Sequence, residues 1–299
     1  RLQAKGIVSL SKACRLFGIS RQGYYQKQQR VDKRLRELSL VKADVIKERI
    51  HLPRLGTRKL YYQLSKQIRS KGIKIGRDAL FDFLRSEHML IKPKHAYHKT
   101  TNSKHWLHKY PNLLKGIKAS RSNEVWVSDI TYICLDNQFA YLSLVTDAYS
   151  RKVVGFYLSR SLDNKGCINA LKMALEGCPD CSSLIHHSDR GAQYCSFAYV
   201  DLLKAHNIKI SMTEKGDPRE NAIAERINGI LKDELLQQQY IELLTAQADV
   251  AKAIVTYNTL RPHSSCDMQT PYQAHSQSGK LKRHWKNYYK KREVTMQET

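Results

Sequence analysis

Acidic residues are scarce in this chain: 27 Asp and Glu stand against 51 Lys and Arg in 299 residues. The net charge of +24 argues against a basic partner and for a polyanionic one. Long apolar runs are missing as well. No stretch of about 18 apolar residues occurs, so no membrane-spanning helix is expected. The first ten residues lack the apolar centre of a secretory signal. Cysteine is present but unorganised. Seven cysteines, an odd number scattered without a framework, read as free thiols in a reducing cytoplasm. An initiator Met is also lacking, so the reading frame is expected to begin upstream.

The positive charge is unevenly placed. Residues 1–118 hold 29 Lys and Arg against 7 acids, a net +22. Residues 119–279 hold 15 against 18, a net −3, and residues 280–299 hold 7 against 2, a net +5. A basic N-terminal half and a basic tail thus flank a near-neutral middle. That distribution suits a nucleic-acid partner, and double-stranded DNA is the expectation.

Residues 1–52 read as a helix-turn-helix followed by a connecting helix. Ser11 is placed to cap a helix reaching Phe17, Gly18 supplies the turn, and Ser20 caps a second helix from Arg21 to Gln29. Arg21 and Gln22 open that candidate recognition helix. A charged amphipathic helix over 33–52 carries Leu35, Leu38, Val41, Val45 and Ile46. Residues 53–92 form a second unit of the same kind, with Thr57 as a cap, a turn at SKGIKIGR, and Arg77 opening the next helix. Arg21, Gln22 and Arg77 are therefore the candidate DNA contacts. Residues 93–120 read as a basic linker lying along DNA. His95, His98, His105 and His108 make two HxxH pairs, but no CxxC lies near them. The only CxxC, Cys178–Cys181, is about 70 residues away, which argues against a zinc site.

From residue 124 the rhythm changes. Trp126–Ile133, Phe139–Thr146 and Lys152–Leu158 are strand-like runs joined by short polar turns. Asn164–Glu176 reads as a helix, Ser183–His187 as a strand, Ser196–His206 as a helix, Lys209–Met212 as a strand, and Asn221–Gln238 as a long helix. The order βββαβαβα predicts an α/β domain over 121–276, a mixed five-stranded sheet flanked by helices, with a basic tail over 277–299.

Three acids stand out. Asp129 lies inside the β-branched and aromatic run WVSDITYI, where a carboxylate is costly without a cationic partner or a metal ion. Asp189 ends the strand-like LIHHSD, where mixed sheets place functional groups. Glu225 lies on the Asn221–Gln238 helix, with Asn228 and Lys232 on its own face and away from the apolar stripe. Hard oxygen donors of this kind suit Mg²⁺ or Mn²⁺ rather than zinc. Two such ions can activate an attacking oxygen and stabilise a leaving one. Asp136, Asp147, Asp163, Asp201 and Asp217 read instead as turn, cap or solvent residues.

WVSDITYI, TDAYSRKVVGFYLS, HHSDRGAQY, ENAIAERINGILKDEL and YNTLRPHSSCDMQTPYQA together resemble the integrase core of bacterial DDE transposases. More narrowly, the chain resembles the OrfB product of the IS-three insertion-sequence family over essentially its whole length. Asp189 and Glu225 are separated by 35 residues, the interval that names the DD(35)E group. The resemblance implies a ribonuclease-H-like fold, binding of the element's terminal inverted repeats, and Mg²⁺-dependent strand cleavage and strand transfer. It makes Asp129, Asp189 and Glu225 the catalytic metal ligands, two ions per site. Lys232, seven residues after Glu225, would contact DNA near the cleaved end. His187 and Gln193 either shape the pocket or serve as buried structural groups. Arg261, Pro262 and His263 would pin the end of the chain near the core helix. The resemblance further implies a homo-oligomer acting on bacterial DNA, with end recognition assisted by a fused upstream first-frame product. Two residues depart from the pattern: Cys266 stands where Leu is expected, and Glu220 where Asp is. The alternative reading is a catalytically inactive DNA-binding regulator derived from such an enzyme.

Overall fold

Residues 21–51, expected as two helices, form one. In the computed structural model, which describes residues 9–92, 105–136, 138–178, 180–214, 218–282 and 284, helix α2 runs unbroken over Arg21–His51. No Gly or Pro interrupts the 24–50 stretch, so nothing breaks the backbone ladder. Helix α1 (Leu10–Leu16) precedes it and is capped by Ser9, whose hydroxyl accepts from Lys12 N, rather than by Ser11. Gly18, at φ 64°, makes the turn between them, a conformation that costs glycine nothing. Helices α3 (Thr57–Ser70) and α4 (Arg77–Ser86) follow.

The chain divides into two compact units, one built on residues up to 50 with 56–91 and the other on 51–55 with residues from 92 onward. The core of the first comes from Val41 and Val45 on α2 with Leu60, Leu64, Ile68, Leu80 and Leu84. The buried Asp44 of α2 ties it to α3, accepting from Gln67 Nε2 at 2.9 Å and Lys71 Nζ at 2.7 Å. Leu35 and Ile46, expected on the apolar face, are exposed.

The second unit is a mixed sheet with helices on both faces. Its strands are β1 (Val125–Cys134), β2 (Phe139–Asp147), β3 (Val153–Ser159), β4 (Ile185–Ser188) and β5 (Lys209–Met212), in the order β3-β2-β1-β4-β5. The first three form an antiparallel meander, and β4 and β5 join parallel to β1. This is the expected order of strands and helices, a ribonuclease-H-like α/β fold. Helix α5 (Asn164–Glu176), capped by Asp163, the short α6 (Ala192–Cys195) and α7 (Phe197–Ala205) belong to one face. Their core includes Trp126, Leu171, Tyr199 and Leu203. Helices α8 (Ala222–Ile230) and α9 (Leu243–Thr259) cover the other, where Leu142, Leu144, Ile227 and Val250 meet. Gly155 of β3 lets the sheet approach α5: a Cβ there would collide with the Ala170 carbonyl.

The helix expected over Asn221–Gln238 is composite. A 3₁₀ turn (Pro218–Asn221) leads into α8, and a π turn (Leu231–Leu235) ends it before Leu236 turns extended. Helix α9 was not expected; Ala246, Val250, Ala253, Ile254 and Tyr257 give it a buried face at helical spacing. The short α10 (Pro271–His275) closes the unit with a capping box from Thr270 and Gln273. His95, His98, most of the 93–120 linker's first half, Asp217 and the tail from 285 lie outside the described residues. Among the described residues no helix is long and apolar enough to cross a membrane.

Candidate active site

Alternation along β1 aims Asp129 at α8. Val125 and Val127, four and two residues earlier on the same face, pack with Ala224 of α8. Ile133, four residues later, packs with Ile227 and Ile230. Asp129 falls between these contacts on the same side of the sheet. Its Oδ2 accepts from Asn228 Nδ2 at 2.8 Å, and its Oδ1 from the Ile130 backbone N–H at 2.9 Å.

Asp189 arrives from the neighbouring strand. The parallel register pairs Val127 with His187, and continuing it by two residues sets Asp189 beside Asp129. Asp189 lies one residue beyond β4, where its Oδ1 accepts from Gly191 N at 2.9 Å and fixes the turn. Glu225 is exposed in the first turn of α8, one helical turn before Asn228. The structure therefore brings the three expected carboxylates to one place. Their proximity shows in Asp129, which keeps some solvent contact but is closely surrounded by protein. Burial raises its pKa most, the Asp189 charge adds to this, and Glu225 adds less. The bonds from Ile130 N and Asn228 pull the other way, and the carboxyl stands at about 7. Among the described residues, no group of three or more His, Cys, Asp or Glu side chains is placed so that it could hold a metal ion. The donor set nevertheless suits a hard divalent cation, because clustered carboxylates that resist ionising together lack positive charge.

Asn228 was legible only as a residue sharing a face with Glu225; its bond to Asp129 was not. Asn221 was not singled out, yet its Nδ2 donates to the Ser128 carbonyl at 3.0 Å and clamps the start of α8 to β1. His187 is buried in a fixed tautomer. Its Nε2 must donate to the Glu220 carbonyl at 3.1 Å, so its Nδ1 accepts from Ser211 Oγ at 2.9 Å. It thereby holds the turn before α8, a structural role. Burial, and then His187, push the pKa of His186 down to about 3. The neutral ring meets Ser128 Oγ at 2.8 Å and Tyr199 Oη at 2.9 Å beneath the carboxylates. Gln193 Nε2 donates to the Leu162 carbonyl.

Lys232 is exposed and lies in the π turn. The π turn is held by Arg261. Its fully buried guanidinium grips Glu234 of the π turn through two bonds, Nε–Oε2 at 2.7 Å and Nη2–Oε1 at 2.6 Å. Arg261 thus pins the closing motif to the core helix, as expected. Cys266 is wholly buried, with Sγ 3.3 Å from the Ser150 carbonyl. Asp147, expected in a turn, a cap or solvent, is fully buried and caps the turn after β2, accepting from Ser150 N at 2.7 Å. Arg21, Gln22 and Arg77 are exposed at helix starts of the first unit, Arg77 paired with Asp78.

A mixed sheet in this order, flanked by helices on both faces, is the architecture of the integrase class of phosphodiester-transferring enzymes. Two family models, each described as an integrase core domain, match residues 119–218 and 206–271. An insertion element IS600 uncharacterized 31 kDa protein of Shigella sonnei is 32% identical over 84% of this chain and 93% of its own length. Transposase InsF for insertion sequence IS3A of Escherichia coli is 30% identical over 89% of this chain and 93% of its own. The catalytic core of HTLV-2 integrase, solved in complex with magnesium, superposes with a TM-score of 0.43 at 22% identity, covering 53% of this chain and 99% of that one. The chain belongs to the IS3 family of insertion-sequence transposases, which are DDE polynucleotidyl transferases.

Proposed function

We propose that Asp129, Asp189 and Glu225 hold two divalent cations, Mg²⁺ or Mn²⁺, and that the chain uses them to cut and join insertion-sequence ends. The observation that carries this reading is the meeting of the three carboxylates, expressed in the raised pKa of Asp129. The cations would supply Lewis-acid activation of the attacking oxygen and charge neutralisation at the leaving one. The protein's own part is placement. β1 and the β4 end present two carboxylates side by side, α8 brings the third, and Asn228 orients Asp129.

In the first step a water oxygen attacks phosphorus at the element end, the P–O3′ bond breaks, and the 3′ oxygen leaves with a proton as a hydroxyl. In the second that 3′-OH attacks a target phosphodiester, and another 3′-OH leaves. One phosphodiester is exchanged for another, so the joining step needs no external energy and no covalent enzyme intermediate. The basic first unit would bind the terminal inverted repeats, with Arg21, Gln22 and Arg77 touching the duplex and Lys232 lying near the cleaved end. Two ends must be held together, so a homo-oligomer is proposed, assisted by an upstream first-frame product and acting on DNA in the bacterial cytoplasm.

The test is Mg²⁺-dependent nicking and joining of an element-end oligonucleotide by wild type and Glu225→Gln. The variant is expected to bind DNA normally while both steps fall by about 10³-fold or more, the scale of losing a charge-stabilising group. Cutting by the variant at the wild-type rate would remove Glu225 from the site.

A further inference from the structure

The segment leading into the catalytic unit is tied to the Asp189 turn by a histidine that the transposition chemistry above leaves without a role. Residues 105–113 form a strap along β5. The Pro111 carbonyl accepts from Met212 N at 3.2 Å, and Leu113 N donates to Ser211 Oγ at 2.9 Å. Leu107 and Tyr110 of the strap pack against the core that contains Leu171 and Leu203. At its head stands the half-buried His105, whose Nε2 lies 2.8 Å from the Arg190 carbonyl. A carbonyl oxygen can only accept, so Nε2 carries a proton and donates it.

That carbonyl has a particular place in the site. The Arg190 C=O and the Gly191 N–H belong to one peptide unit. It is planar and trans, so its two polar groups point in opposite directions. The N–H end donates to Asp189 Oδ1 at 2.9 Å, and the C=O end accepts from His105. The peptide is thus gripped at both ends, and turning its plane would break both bonds. Donation into the carbonyl also polarises the amide and strengthens the bond on its far side. The approach is close: a Cβ on Gly191 would lie 3.0 Å from Asp189 Oδ1.

We propose that His105 is a positioning residue for Asp189. Through the Arg190–Gly191 peptide it holds the carboxylate in the orientation that serves a divalent cation. The inference rests on the reading of Asp189 as a metal ligand and adds the group that aims it. Removing an outer group that orients a ligand typically weakens metal affinity by about 10- to 100-fold. If His105 only fastened the strap to the sheet, its loss would lower stability and leave metal affinity alone.

The test uses the full chain without DNA and Mn²⁺ as the probe, with free Mn²⁺ read by electron paramagnetic resonance. His105→Phe keeps a ring and loses the donor. His105→Asn keeps an amide that falls short of the carbonyl, and His105→Gln carries an N–H to about the place of Nε2. The Phe and Asn variants are expected to bind Mn²⁺ about tenfold more weakly than wild type, and the Gln variant to recover most of that loss. Duplex binding in EDTA should be the same in all four proteins. Nicking of an element-end oligonucleotide by the Asn variant should fall at limiting Mn²⁺ and recover in part as Mn²⁺ is raised. Wild-type Mn²⁺ affinity in a folded Phe or Asn chain would overturn the inference while leaving Asp189 a ligand. So would a Gln variant as weak as the other two, since the ring and not its N–H would then matter. No Mn²⁺ affinity in the wild-type chain would overturn the carboxylate reading and this inference with it.

Discussion

Asp147 illustrates how a carboxylate can be buried without being a ligand. It ends β2, has no exposed surface, and is surrounded by donors: Asn123 N at 2.8 Å, Ser150 N at 2.7 Å and Ser150 Oγ at 2.6 Å. Burial pushes its pKa upward, but the nearby His275 and the bonds from Ser150 and Asn123 outweigh burial and hold it below the ordinary carboxylate value. Asp129 has only two such bonds and two acidic neighbours, so burial wins there and its pKa rises. The balance of donors against burial and like charge sets the opposite pKa shifts of the two carboxylates. A depressed pKa gives stability that is present above the unfolded value, near 3.9, and is lost as the pH falls through the folded value. Asp147→Asn, which loses one acceptor, is expected to cost about 1–3 kcal/mol at pH 7. Urea denaturation of both proteins should show that gap shrinking below about pH 4, where the unfolded chain begins to take up the proton, and closing as the pH passes the lower folded value. A gap independent of pH would mean that the charge of Asp147 contributes nothing.

At the scale of elements, the junction of α8, the π turn and α9 depends on the Arg261–Glu234 pair. Both oxygens of Glu234 are engaged by one planar fork inside the protein, a geometry that Lys cannot reproduce. Removing one partner of a buried pair leaves the other charge stranded, at a cost of about 3–5 kcal/mol. Arg261→Lys is therefore expected to lower the melting temperature by about 10 °C in thermal unfolding, nearly as much as Arg261→Ala. A Lys variant melting like wild type would show that charge alone suffices. The same junction explains what the sequence did not reveal. Asp129 was legible because a carboxylate in a β-branched run is locally anomalous, and Asp189 because a turn must follow it. The strands were legible from alternation, since their period is set by their own residues. The π turn was not, and the residue that grips it, Arg261, lies 27 residues from Glu234. The Asn228–Asp129 bond spans 99 residues and left no local trace. The merging of 21–29 with 33–52 into α2 needed the reverse inference, that nothing between them could stop a helix.

On the scale of the whole molecule, the charge asymmetry assigns different tasks to different stretches of chain. Residues 1–118 carry the +22 and residues 119–279 are slightly acidic, so the stretch holding the carboxylates has little net attraction for DNA of its own. The proposed centre, which gathers three acids, would repel phosphate without cations, so the basic stretches are expected to supply the hold. Binding strength and chemistry should then separate experimentally. If about six cations meet phosphates, the logarithm of the affinity should fall against that of salt with a slope of roughly −5. The check is anisotropy of the full chain on a duplex between 50 and 400 mM salt without divalent ions. Glu225→Gln should leave that slope unchanged, since Glu225 contributes no phosphate contact. Reversing Arg21 and Arg77 together, both exposed at helix starts, should make it shallower by about two. A slope that the arginine reversals leave untouched would move the phosphate contacts elsewhere, to the basic linker or the tail. The helices of the first unit would then be left with a role other than holding DNA.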